Sequence, residues 1–564
     1  MSEKIKISVV IEREKPNSEK NGTNAAPILL IQDSSMTLMS VLLQNHLIKG
    51  SFCGGRGDCG RCVVQFLKGA PLPTGIERAR LTPEELRQGY RLACVTKPGT
   101  DCTVRIADGG GMETPIVTEV NLPLQKIDLN SQERDLSQNE KPAAGVIEKS
   151  ERYIIAVDLG TTTIAMQLRD AMTGETADTY CEINPQRSYG TDVLARIEAS
   201  CNGNREELQK LVCGSLARGL RQFMAYMRQN GGARNGGERK GMSFGNETAK
   251  EPQILCMCVA GNTTMEHLLM GYDVRSLGRA PFVPVETGLQ RVSVSRLLAE
   301  SQTSDEKTDG WELGVIPDFP VCLVPCISAF VGGDIVAGLY ALHMLSDMPR
   351  TTLLIDLGTN GEMAITDGRR MIVTATAAGP AFEGNGDIIG TDRIALTAEL
   401  LRRGALDETG LLAEPYFEEG VLVETTEKAE SADEAKENKC YFTQKDIRKI
   451  QMAKAAIRAG VEILWEEMGC PEIDRIYLAG GFGYYLNVEA AVAIGLLPAY
   501  MRGRVCAVGN ASLAGAYELG RDLCEKKTEK EILERKLFDV ESINLAGKEK
   551  FEKLYLKYMN LEEN

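Results

Sequence analysis

The spacing pattern of apolar and polar residues changes once along the chain, and this change predicts two folded units. At the front of the chain, apolar residues alternate with polar ones over short runs such as Lys4–Ile11, Val63–Leu67 and Cys102–Ile106, which is typical of β-strands. One helical pattern covers Met36–Leu47. From Arg152 onward, buried strands alternate with helical patterns, as in an α/β fold. We therefore expect a small β-rich unit ahead of a larger α/β unit.

Polar segments separate and interrupt these two units. Residues 108–150 are rich in Gly, Ser, Gln and Glu and predict a linker, with a small ordered connector as the alternative. As a flexible coil, these ~43 residues would span roughly 35–40 Å, enough for a tethered unit to visit two docking sites. Residues 229–252 and 425–438 predict surface insertions without chemistry. The expected segments are 1–107, 108–150, 151–345 and 346–564.

An internal repeat lies within the α/β unit. Tyr153–Met166 and Leu353–Ile365 both consist of an apolar strand, then Asp-Leu-Gly-Thr, then a second apolar strand. Each predicts a hairpin whose turn can hold phosphate, because glycine lets backbone N–H groups approach an anion and the hydroxyls add donors. The aspartates of the two turns, Asp158 and Asp356, can hold Mg²⁺ through water or orient an attacking water.

A second pair of motifs follows at corresponding places. Cys258–Thr264 comes about 100 residues after the first hairpin and Tyr477–Gly483 about 120 after the second, and both predict a buried strand that ends in a turn of small residues. The helix predicted over Thr443–Met468 opens with a capping box. Neither a Walker loop nor a Rossmann fingerprint with its acidic residue occurs. Two matched pairs of motifs are far more specific than a single Asp-x-Gly-Thr.

Composition narrows the class of protein. The chain has 564 residues, of which 43% are hydrophobic and 25% charged, as in soluble globular proteins. Its net charge of −15 disfavours nucleic acid or an anionic membrane as the main partner. No apolar run is long enough to cross a membrane, and the start of the chain lacks the apolar region of a signal peptide. The 16 cysteines show no disulfide framework, so we expect a reducing compartment and a cytoplasmic protein.

Four cysteines near the front of the chain have the spacing of an iron–sulfur site. Cys53, Cys59 and Cys62 form C-x5-C-x2-C, and Cys94 follows 32 residues later. Plant-type [2Fe–2S] ferredoxins use C-x4-C-x2-C and a distant fourth cysteine, and the gap that is one residue longer here resembles the adrenodoxin-like branch. Zinc would usually recruit paired cysteines or histidine, and none of the three histidines lies within the loop from Cys53 to Cys62. We therefore predict a [2Fe–2S] cluster on these four residues and a core thiol at Cys102.

The order of the two motif pairs resembles the superfamily of actin, the heat-shock chaperone ATPases, acetate kinase and sugar kinases, whose two like-folded halves close on ATP. The resemblance implies an α/β fold class with a two-lobed actin-like (ribonuclease H-like) ATPase, which follows the N-terminal β-grasp ferredoxin-like domain implied by the ferredoxin-like cysteine motif. It places ATPase subdomains at 151–345 and 346–564, and it implies catalytic roles for Asp158 and Asp356. The implied nucleotide-binding residues are Gly160, Thr161, Thr162, Thr163, Gly358, Thr359, Asn360, Gly480, Gly481 and Phe482.

The ferredoxin-like module, the linker and the actin-like ATPase together resemble the reductive activators of corrinoid-dependent proteins. Further motifs extend this resemblance over nearly the whole chain, namely Asn184–Val193, Gly261–His267, Ala280–Pro284, Ala375–Gly384 and Gly509–Ala516. It implies an ATP-hydrolysing enzyme that delivers one electron from a [2Fe–2S] cluster to a corrinoid protein of a methyltransferase system and returns inactive Co(II) to Co(I). The implied cofactors are the cluster, ATP and Mg²⁺.

The same resemblance implies the partners. They are the corrinoid protein, an electron donor protein or reductant, and a second copy of the chain in a homodimer. Some relatives carry a separate small domain between the ferredoxin module and the ATPase, and residues 108–150 are too short for it. Dimerisation and docking through such a domain therefore stay open for this chain.

The energetics of the transfer explain a need for ATP. The reduction potential of plant-type [2Fe–2S] centres lies near −400 mV. The resemblance to the activator family implies that Co(II) in a corrinoid is harder to reduce than such a centre. A deficit of about 100–200 mV costs roughly 2.5–5 kcal/mol, since about 59 mV is tenfold for one electron. Differential binding of nucleotide states can supply that much free energy. We therefore expect closure of the two halves to bias the partner's cobalt toward its reducible form.

Two other functions fit parts of the pattern. A small-molecule kinase with a redox-sensing ferredoxin module would phosphorylate an acceptor stoichiometrically, but no acceptor-binding motif is visible. A non-hydrolysing electron-carrier scaffold would carry a decayed ATPase half, whereas both aspartates and their hydroxyl-bearing loops are intact.

Several other residues have competing interpretations. His267 is favoured as a helix residue over a catalyst. Ser328–Asp334 and Glu383 are each balanced between the cleft and an ordinary turn or loop. Core thiols are favoured over metal pairs for Cys256, Cys258, Cys322 and Cys326.

Overall fold

The fold is taken from a computed structural model of the chain. It describes residues 4–12, 28–33, 37–44, 62–107, 152–230, 252–299, 316–346, 350–358, 360–379, 390–423, 440–525, 533, 536–537 and 539–562. Outside these ranges lie Cys53, Cys59, Thr359, Glu383, the segments 108–150 and 425–438, and most of 229–252. Among the described helices, none combines the length and apolar composition needed to span a lipid bilayer.

The N-terminal unit is a five-stranded mixed sheet, ordered β2-β1-β5-β3-β4, with short helices. β1 and β5 run parallel at its centre, and the outer strands pair antiparallel. Its elements are β1 (Lys4–Glu12), β2 (Ile28–Asp33), α1 (Leu38–Gln44), β3 (Val63–Lys68), α2 (Gly75–Arg80), α3 (Pro83–Arg87), β4 (Tyr90–Leu92) and β5 (Cys102–Ala107). The predicted strands and the predicted helix are therefore present, and apolar faces of α1 and the sheet form one core.

Two six-stranded sheets built on one plan form the rest of the described chain. We call the first sheet and its helices lobe 1. Its strand order is β10-β11-β9-β6-β7-β8. Its elements are β6 (Arg152–Leu159), β7 (Thr163–Asp170), β8 (Thr176–Ile183), α4 (Val193–Ala199), α5 (Arg205–Asn230), β9 (Gln253–Gly261), α6 (Thr263–Leu269), β10 (Gln290–Ser293), α7 (Val294–Leu298), β11 (Pro320–Leu323) and α8 (Gly333–Ala341).

The second sheet and its helices form lobe 2, with strand order β18-β17-β12-β13-β14-β19. Its first strands are β12 (Thr352–Leu357), β13 (Gly361–Thr366) and β14 (Met371–Thr376), followed by α9 (Gly390–Arg402), α10 (Tyr416–Glu419), β15 (Val421–Val423) and β16 (Cys440–Phe442). The remaining elements are α11 (Gln444–Glu467), β17 (Arg475–Ala479), α12 (Gly480–Tyr485), α13 (Val488–Ala493), β18 (Val505–Gly509), α14 (Ala511–Cys524), β19 (Val540–Ile543) and α15 (Glu549–Lys557).

The internal repeat of the sequence corresponds to equivalent strands of the two lobes. In lobe 1, β6, β7 and β8 form an antiparallel meander, and β9 and then β11 add parallel to β6. In lobe 2, β12, β13 and β14 form the same meander, and β17 and then β18 add parallel to β12. Both predicted hairpins and both predicted strand–turn motifs are therefore confirmed, and so is the fold class of a ferredoxin-like unit with an actin-like α/β unit.

The two lobes exchange helices. α8 follows the last parallel strand of lobe 1, yet its apolar side chains pack with β12, β14 and β17 of lobe 2. α14 follows the corresponding strand of lobe 2 and packs on β6 and β9 of lobe 1. The two helices touch where a Cβ on Gly515 would lie 1.8 Å from the Ala337 carbonyl oxygen. Only glycine fits at this crossing, so the sequence sets how closely the lobes are joined.

Candidate functional site

The described part of the cysteine motif brings two sulfurs together. Cys62 directly precedes β3 and Cys94 lies in the turn after β4, and their Sγ atoms are 3.2 Å apart. The hydrogen bond between the two thiols lowers the pKa of Cys62 to about 7. Thiolates are the ligands that iron–sulfur clusters use, so the two residues that the structure describes fit a cluster. Cys102 is buried in the core, and burial raises its pKa to about 11, as predicted for a core thiol.

A buried glutamate that sequence reasoning missed supports the turn that carries Cys94. Glu77 Oε1 accepts hydrogen bonds from the Leu92 backbone N–H at 2.9 Å and from the Thr96 hydroxyl at 2.6 Å. Its other oxygen accepts the Thr74 N–H in a capping box. These hydrogen bonds lower the pKa of Glu77 although burial opposes them. The carboxylate therefore ties α2 to the cysteine turn.

In lobe 1, buried groups of the protein donate hydrogen bonds to the carbonyl oxygens of the loop between β6 and β7. The side-chain amide of Asn184 donates to Gly160 O at 2.8 Å, and its backbone N–H donates to Thr162 O at 2.9 Å. The guanidinium of Arg196 donates to Thr161 O. Asn184 and Arg196 are fully buried. With these oxygens engaged by the protein, the loop does not present their negative partial charge to an incoming phosphate.

In lobe 2, Asp356 is the second-to-last residue of β12, close to the turn of the second hairpin. Gly358 and Asn360 form that turn, with the Gly358 N–H donating to Asn360 O at 3.0 Å. Gly480, at the start of α12, has a φ of +82°, and a Cβ there would lie 2.4 Å from Asp356 Oδ1. The glycine of the predicted adenosine motif is thus required for direct contact with the predicted catalytic aspartate. Gly481 is exposed and Phe482 is half-buried against the core of lobe 2.

Hydrogen bonds across the cleft join the lobes at Asp158. The amide of Asn510 donates to Asp158 Oδ2 at 2.7 Å, and the hydroxyl of Ser512 donates to Oδ1 at 3.0 Å. Asn510 is also the N-cap of α14, where its side-chain oxygen accepts the Leu513 N–H. The start of one exchanged helix therefore contacts the aspartate of the hairpin in the opposite lobe.

Five carboxylates lie around this point, of which those of Glu266 and Glu362 are buried and the other three half-buried, and desolvation raises the pKa of each. Burial is the largest cause throughout, and mutual repulsion adds to it for all but Asp158. The pKa of Asp334 rises to about 7 and that of Asp356 to about 8. The members are Asp158, Glu266, Asp334, Asp356 and Glu362. A protein site that concentrates this much negative charge suits a hydrated cation between the carboxylates and a phosphate chain.

Glu362 is the most constrained of these carboxylates. It lies on β13 directly opposite Asp356 and is 7% exposed. Asn262, from the small-residue turn of lobe 1, donates a hydrogen bond to its carboxylate, while its Oε1 has no hydrogen-bond partner among the described residues. Within those residues no group of three His, Cys, Asp or Glu side chains is arranged to hold a metal ion directly.

Of the residues that the sequence left open, Glu383 lies outside the described residues. Ser328–Asp334 begins with a tight turn, in which the Ser328 N–H donates to Val331 O at 3.2 Å. The segment then packs against the turn after β9, where a Cβ on Gly332 would lie 2.5 Å from Gly261 O, and it ends at Asp334 of the carboxylate group. His267 is a structural residue of α6. Its Nδ1 pairs with Thr263 O at 2.7 Å, and its Nε2 accepts the Val285 N–H at 3.1 Å. The four thiols predicted to be core residues, Cys256, Cys258, Cys322 and Cys326, are all buried.

Three protein-family models match the chain in sequence order. The model of the 2Fe-2S iron-sulfur cluster binding domain matches residues 28–99, and the RACo middle region matches 153–231 and 242–347. The C-terminal domain of RACo, the ASKHA domain, matches 350–392 and 386–564. The chain belongs to the RACo-like family. Cluster binding by the front domain and ATP binding by the ASKHA domain follow from these matches.

Relatives of this RACo-like chain include the corrinoid activation enzyme RamQ of Eubacterium limosum, 29% identical over 413 residues that cover 64% of this chain and 63% of the relative. The [Co(II) methylated amine-specific corrinoid protein] reductase of Methanosarcina barkeri is 24% identical over 72% of this chain and 76% of its own length. The chain thus spans less than two thirds of the length of the first of these relatives. The solved structure of a reductive activator for corrinoid, iron-sulfur protein has the same fold, with a TM-score of 0.57 and 24% identity over 99% of this chain and 98% of its own length.

Sequence reasoning found the aspartates of the RACo-like cleft but missed the residues that position them. Asn184, Asn262 and Asn510 all lie in motifs that the resemblance quoted, yet no role was assigned to them. A signal was present for Asn510, since an asparagine directly before a small-residue helix start is a typical N-cap. No local pattern identified the remaining members, Arg196, Glu266, Glu362 and Ser512.

Proposed function

We propose that this protein uses ATP binding and hydrolysis to deliver one electron from a [2Fe–2S] cluster to a corrinoid protein, which converts inactive Co(II) to Co(I). The observation that carries the proposal is the contact of Asn510 and Ser512 of lobe 2 with Asp158 of lobe 1. A nucleotide that occupies this junction changes the contacts on which lobe closure depends. The names of the two relatives, a corrinoid activation enzyme and a Co(II) corrinoid protein reductase, support the identity of the acceptor.

Cys53, Cys59, Cys62 and Cys94 would hold the cluster, whose chemistry is transfer of a single electron at low potential. Cys62 and Cys94 bring their sulfurs to one point, and the hydrogen bonds of Glu77 fix the turn behind them. Residues 108–150 would connect this domain to the ATPase. An electron donor protein or reductant would reduce the cluster again after each transfer. The proposed assembly is a homodimer.

The phosphate chain of ATP would lie between the two hairpin turns. Thr161, Thr162 and Thr163 would donate to it from lobe 1, because Asn184 and Arg196 already engage the carbonyl oxygens of that loop. Gly358, Thr359 and Asn360 would do so from lobe 2. Gly480, Gly481 and Phe482 would border the adenosine, where a side chain at Gly480 would collide with Asp356.

The carboxylates of the cleft would orient water and cation. Asp158 and Asp356, with Asp334 beside them, would hold the waters of Mg²⁺, and the cation's charge would lower their pKa values again. Asp356 and Glu362 form a close pair in which burial and mutual repulsion favour the protonated form of both, and the charge of the cation would leave one of them ionised. The ionised member is placed to take a proton from the water that attacks the terminal phosphate. The energy released on lobe opening and closure would then be available to the docked corrinoid protein.

The experiment that tests the proposal is absorption spectroscopy of a candidate corrinoid protein mixed with this protein and a low-potential reductant. Addition of Mg-ATP is expected to produce the Co(I) spectrum, and omission of ATP or its replacement by a non-hydrolysable analogue is expected to leave Co(II). Equal rates of Co(I) formation with and without nucleotide would reject ATP coupling. Stoichiometric phosphorylation of a small molecule without Co(I) formation would instead identify a kinase.

A further inference from the structure

Two cysteines far from the cluster lie in contact where α14 crosses the sheet of lobe 1. The Sγ atoms of Cys256, on β9, and Cys524, the last residue of α14, are 3.1 Å apart. Gly520 makes the contact possible, because a Cβ at that position would lie 3.0 Å from Cys258 Cβ and 3.2 Å from Ile154 Cγ2. The helix therefore approaches the strand closely enough for the two thiols to meet.

The two thiols are chemically unequal. Cys256 is 1% exposed, whereas Cys524 is half-buried and open to solvent on one side. The hydrogen bond between them lowers the pKa of Cys524, and the nearby Arg291 guanidinium acts in the same direction. The same hydrogen bond, with burial, raises the pKa of Cys256. Reactive redox cysteines are accessible, have thiolate character and lie beside a second thiol that can resolve them, and Cys524 has all three properties.

We propose that Cys256 and Cys524 form a reversible disulfide that switches off ATP turnover. The oxidant is a low-molecular-weight disulfide such as oxidised glutathione. The Cys524 thiolate attacks one sulfur of that disulfide and expels the first small thiol, and Cys256 then attacks Cys524 Sγ, gives up its proton and expels the second. The two protein thiols lose two electrons, and the small disulfide gains them and leaves as two thiols.

The link would act on the nucleotide cleft because both connected elements end there. α14 begins beside Asn510 and Ser512, which bind Asp158, and its 14 residues span about 21 Å between that contact and Cys524. β9 ends at Gly261, next to the turn whose Asn262 binds Glu362. A covalent bond between the far ends fixes the helix relative to the sheet. Any sliding of α14 that accompanies lobe opening is then prevented.

The test uses the full-length protein with its cluster, incubated with oxidised glutathione and then assayed for ATP hydrolysis. Peptide mapping under non-reducing conditions is expected to show a Cys256–Cys524 disulfide. Turnover is expected to fall about tenfold, a size typical of coupling between distant sites, and to return with dithiothreitol. The visible absorption of the cluster, recorded in parallel, should be unchanged.

Variants separate this switch from other oxidation. Cys524→Ser and Cys256→Ala should keep the basal rate and lose the inhibition, whereas Cys201→Ser, at an exposed cysteine elsewhere in lobe 1, should be inhibited like the parent protein. Absence of the mapped disulfide would overturn the proposal, and so would equal inhibition of the parent and Cys524→Ser proteins. If the protein hydrolysed no ATP at all, the proposed function would fail, and the disulfide map would then decide the pairing by itself.

Discussion

Asp356 and Glu362 lie directly opposite each other on β12 and β13, one residue pair from the turn of the second hairpin. In the first hairpin the residue opposite Asp158 is Ala165. Opposed residues on an antiparallel pair have Cβ atoms about 4.5–5.5 Å apart, so only lobe 2 brings two carboxylates together in this way. The two hairpins are related by the repeat but are chemically different, so we assign the proposed proton transfer to lobe 2.

This asymmetry predicts that Glu362→Gln slows ATP hydrolysis while leaving nucleotide binding intact. The amide keeps the shape of the side chain but cannot exchange a proton with Asp356 or with water, so kcat should fall about 10²- to 10⁴-fold with little change in KM. Steady-state phosphate release at varied ATP concentration measures both quantities. Glu549→Gln, at an exposed glutamate of α15, is the matched control and should behave like the parent. A raised KM with an unchanged kcat would show that Glu362 only binds.

Replacing Asp356 should separate ATP turnover from the cluster. Asp356→Ala removes the carboxylate that contacts Gly480 and repels Asp334, so we expect ATP hydrolysis and corrinoid activation both to be lost. The cluster lies in a separate sheet, and its visible spectrum should be unchanged. Continued formation of Co(I) by this variant at the parental rate would contradict a role for the nucleotide site.

The reciprocal variant, Cys59→Ala, should lose the cluster spectrum and electron delivery and keep ATP hydrolysis. Cys102→Ala is its matched control, because Cys102 is a buried core thiol of the same domain and is not among the predicted ligands. Absorption spectra and phosphate release measured on both proteins decide the question. Loss of the cluster in Cys102→Ala with retention in Cys59→Ala would mean that the ligand set is wrong.

How much of this site the sequence predicts depends on the distance over which each contact acts. Asp158, Asp356 and Gly480 lie in short motifs that fix strand, turn and backbone conformation locally, so their pattern is readable. The contact of Asn510 with Asp158 joins residues 352 positions apart. Arg196 reaches Thr161 only because α4 packs behind the first hairpin. The first contact depends on the exchange of helices between the lobes and the second on packing within lobe 1, and the periodicity of apolar residues records neither.

The raised carboxyl pKa values predict that the nucleotide-free protein loses stability as pH rises. An ordinary aspartate has a pKa near 3.8, whereas those of Asp334 and Asp356 are about 7 and about 8 in the folded chain. Between the ordinary pKa and the raised one, each of these groups binds more protons in the folded state than in the unfolded state, so the free energy of unfolding falls with increasing pH. The fall is up to about 1.4 kcal/mol per pH unit for each group. It ends at about pH 7 for Asp334 and about pH 8 for Asp356.

Thermal unfolding of the nucleotide-free protein between pH 5 and 8 checks this sign. Asp356→Asn removes one of the groups with a raised pKa, so its Tm should decline less steeply and should exceed the parental Tm at pH 8. The same variant should hydrolyse no ATP. A variant that is more stable but inactive would show that the carboxylate needed for hydrolysis lowers the stability of the protein. Parallel Tm curves for the parent and variant would mean that Asp356 is ionised in the folded protein.

The crossing of α8 and α14 predicts opposite outcomes for two glycines. A Cβ on Gly515 would lie 1.8 Å from the Ala337 carbonyl oxygen, so Gly515→Ala must push the two helices apart. Overpacking of this kind costs about 1–3 kcal/mol or more, which exceeds the gain of up to about 1 kcal/mol from placing alanine in a helix. A Cβ on Gly338 would meet Ala511 Cβ at 3.5 Å, an ordinary contact. Gly338→Ala should therefore match or exceed the parental stability.

Thermal unfolding and ATP hydrolysis should be measured on both glycine variants. Gly515→Ala is expected to lower Tm and to slow ATP hydrolysis, because α14 carries Asn510 and Ser512 to Asp158 and any displacement of the helix weakens those two hydrogen bonds. Gly338→Ala is expected to keep both properties. If the two variants were equally stable and equally active, the close approach of the exchanged helices would not be what positions the lobes around the cleft.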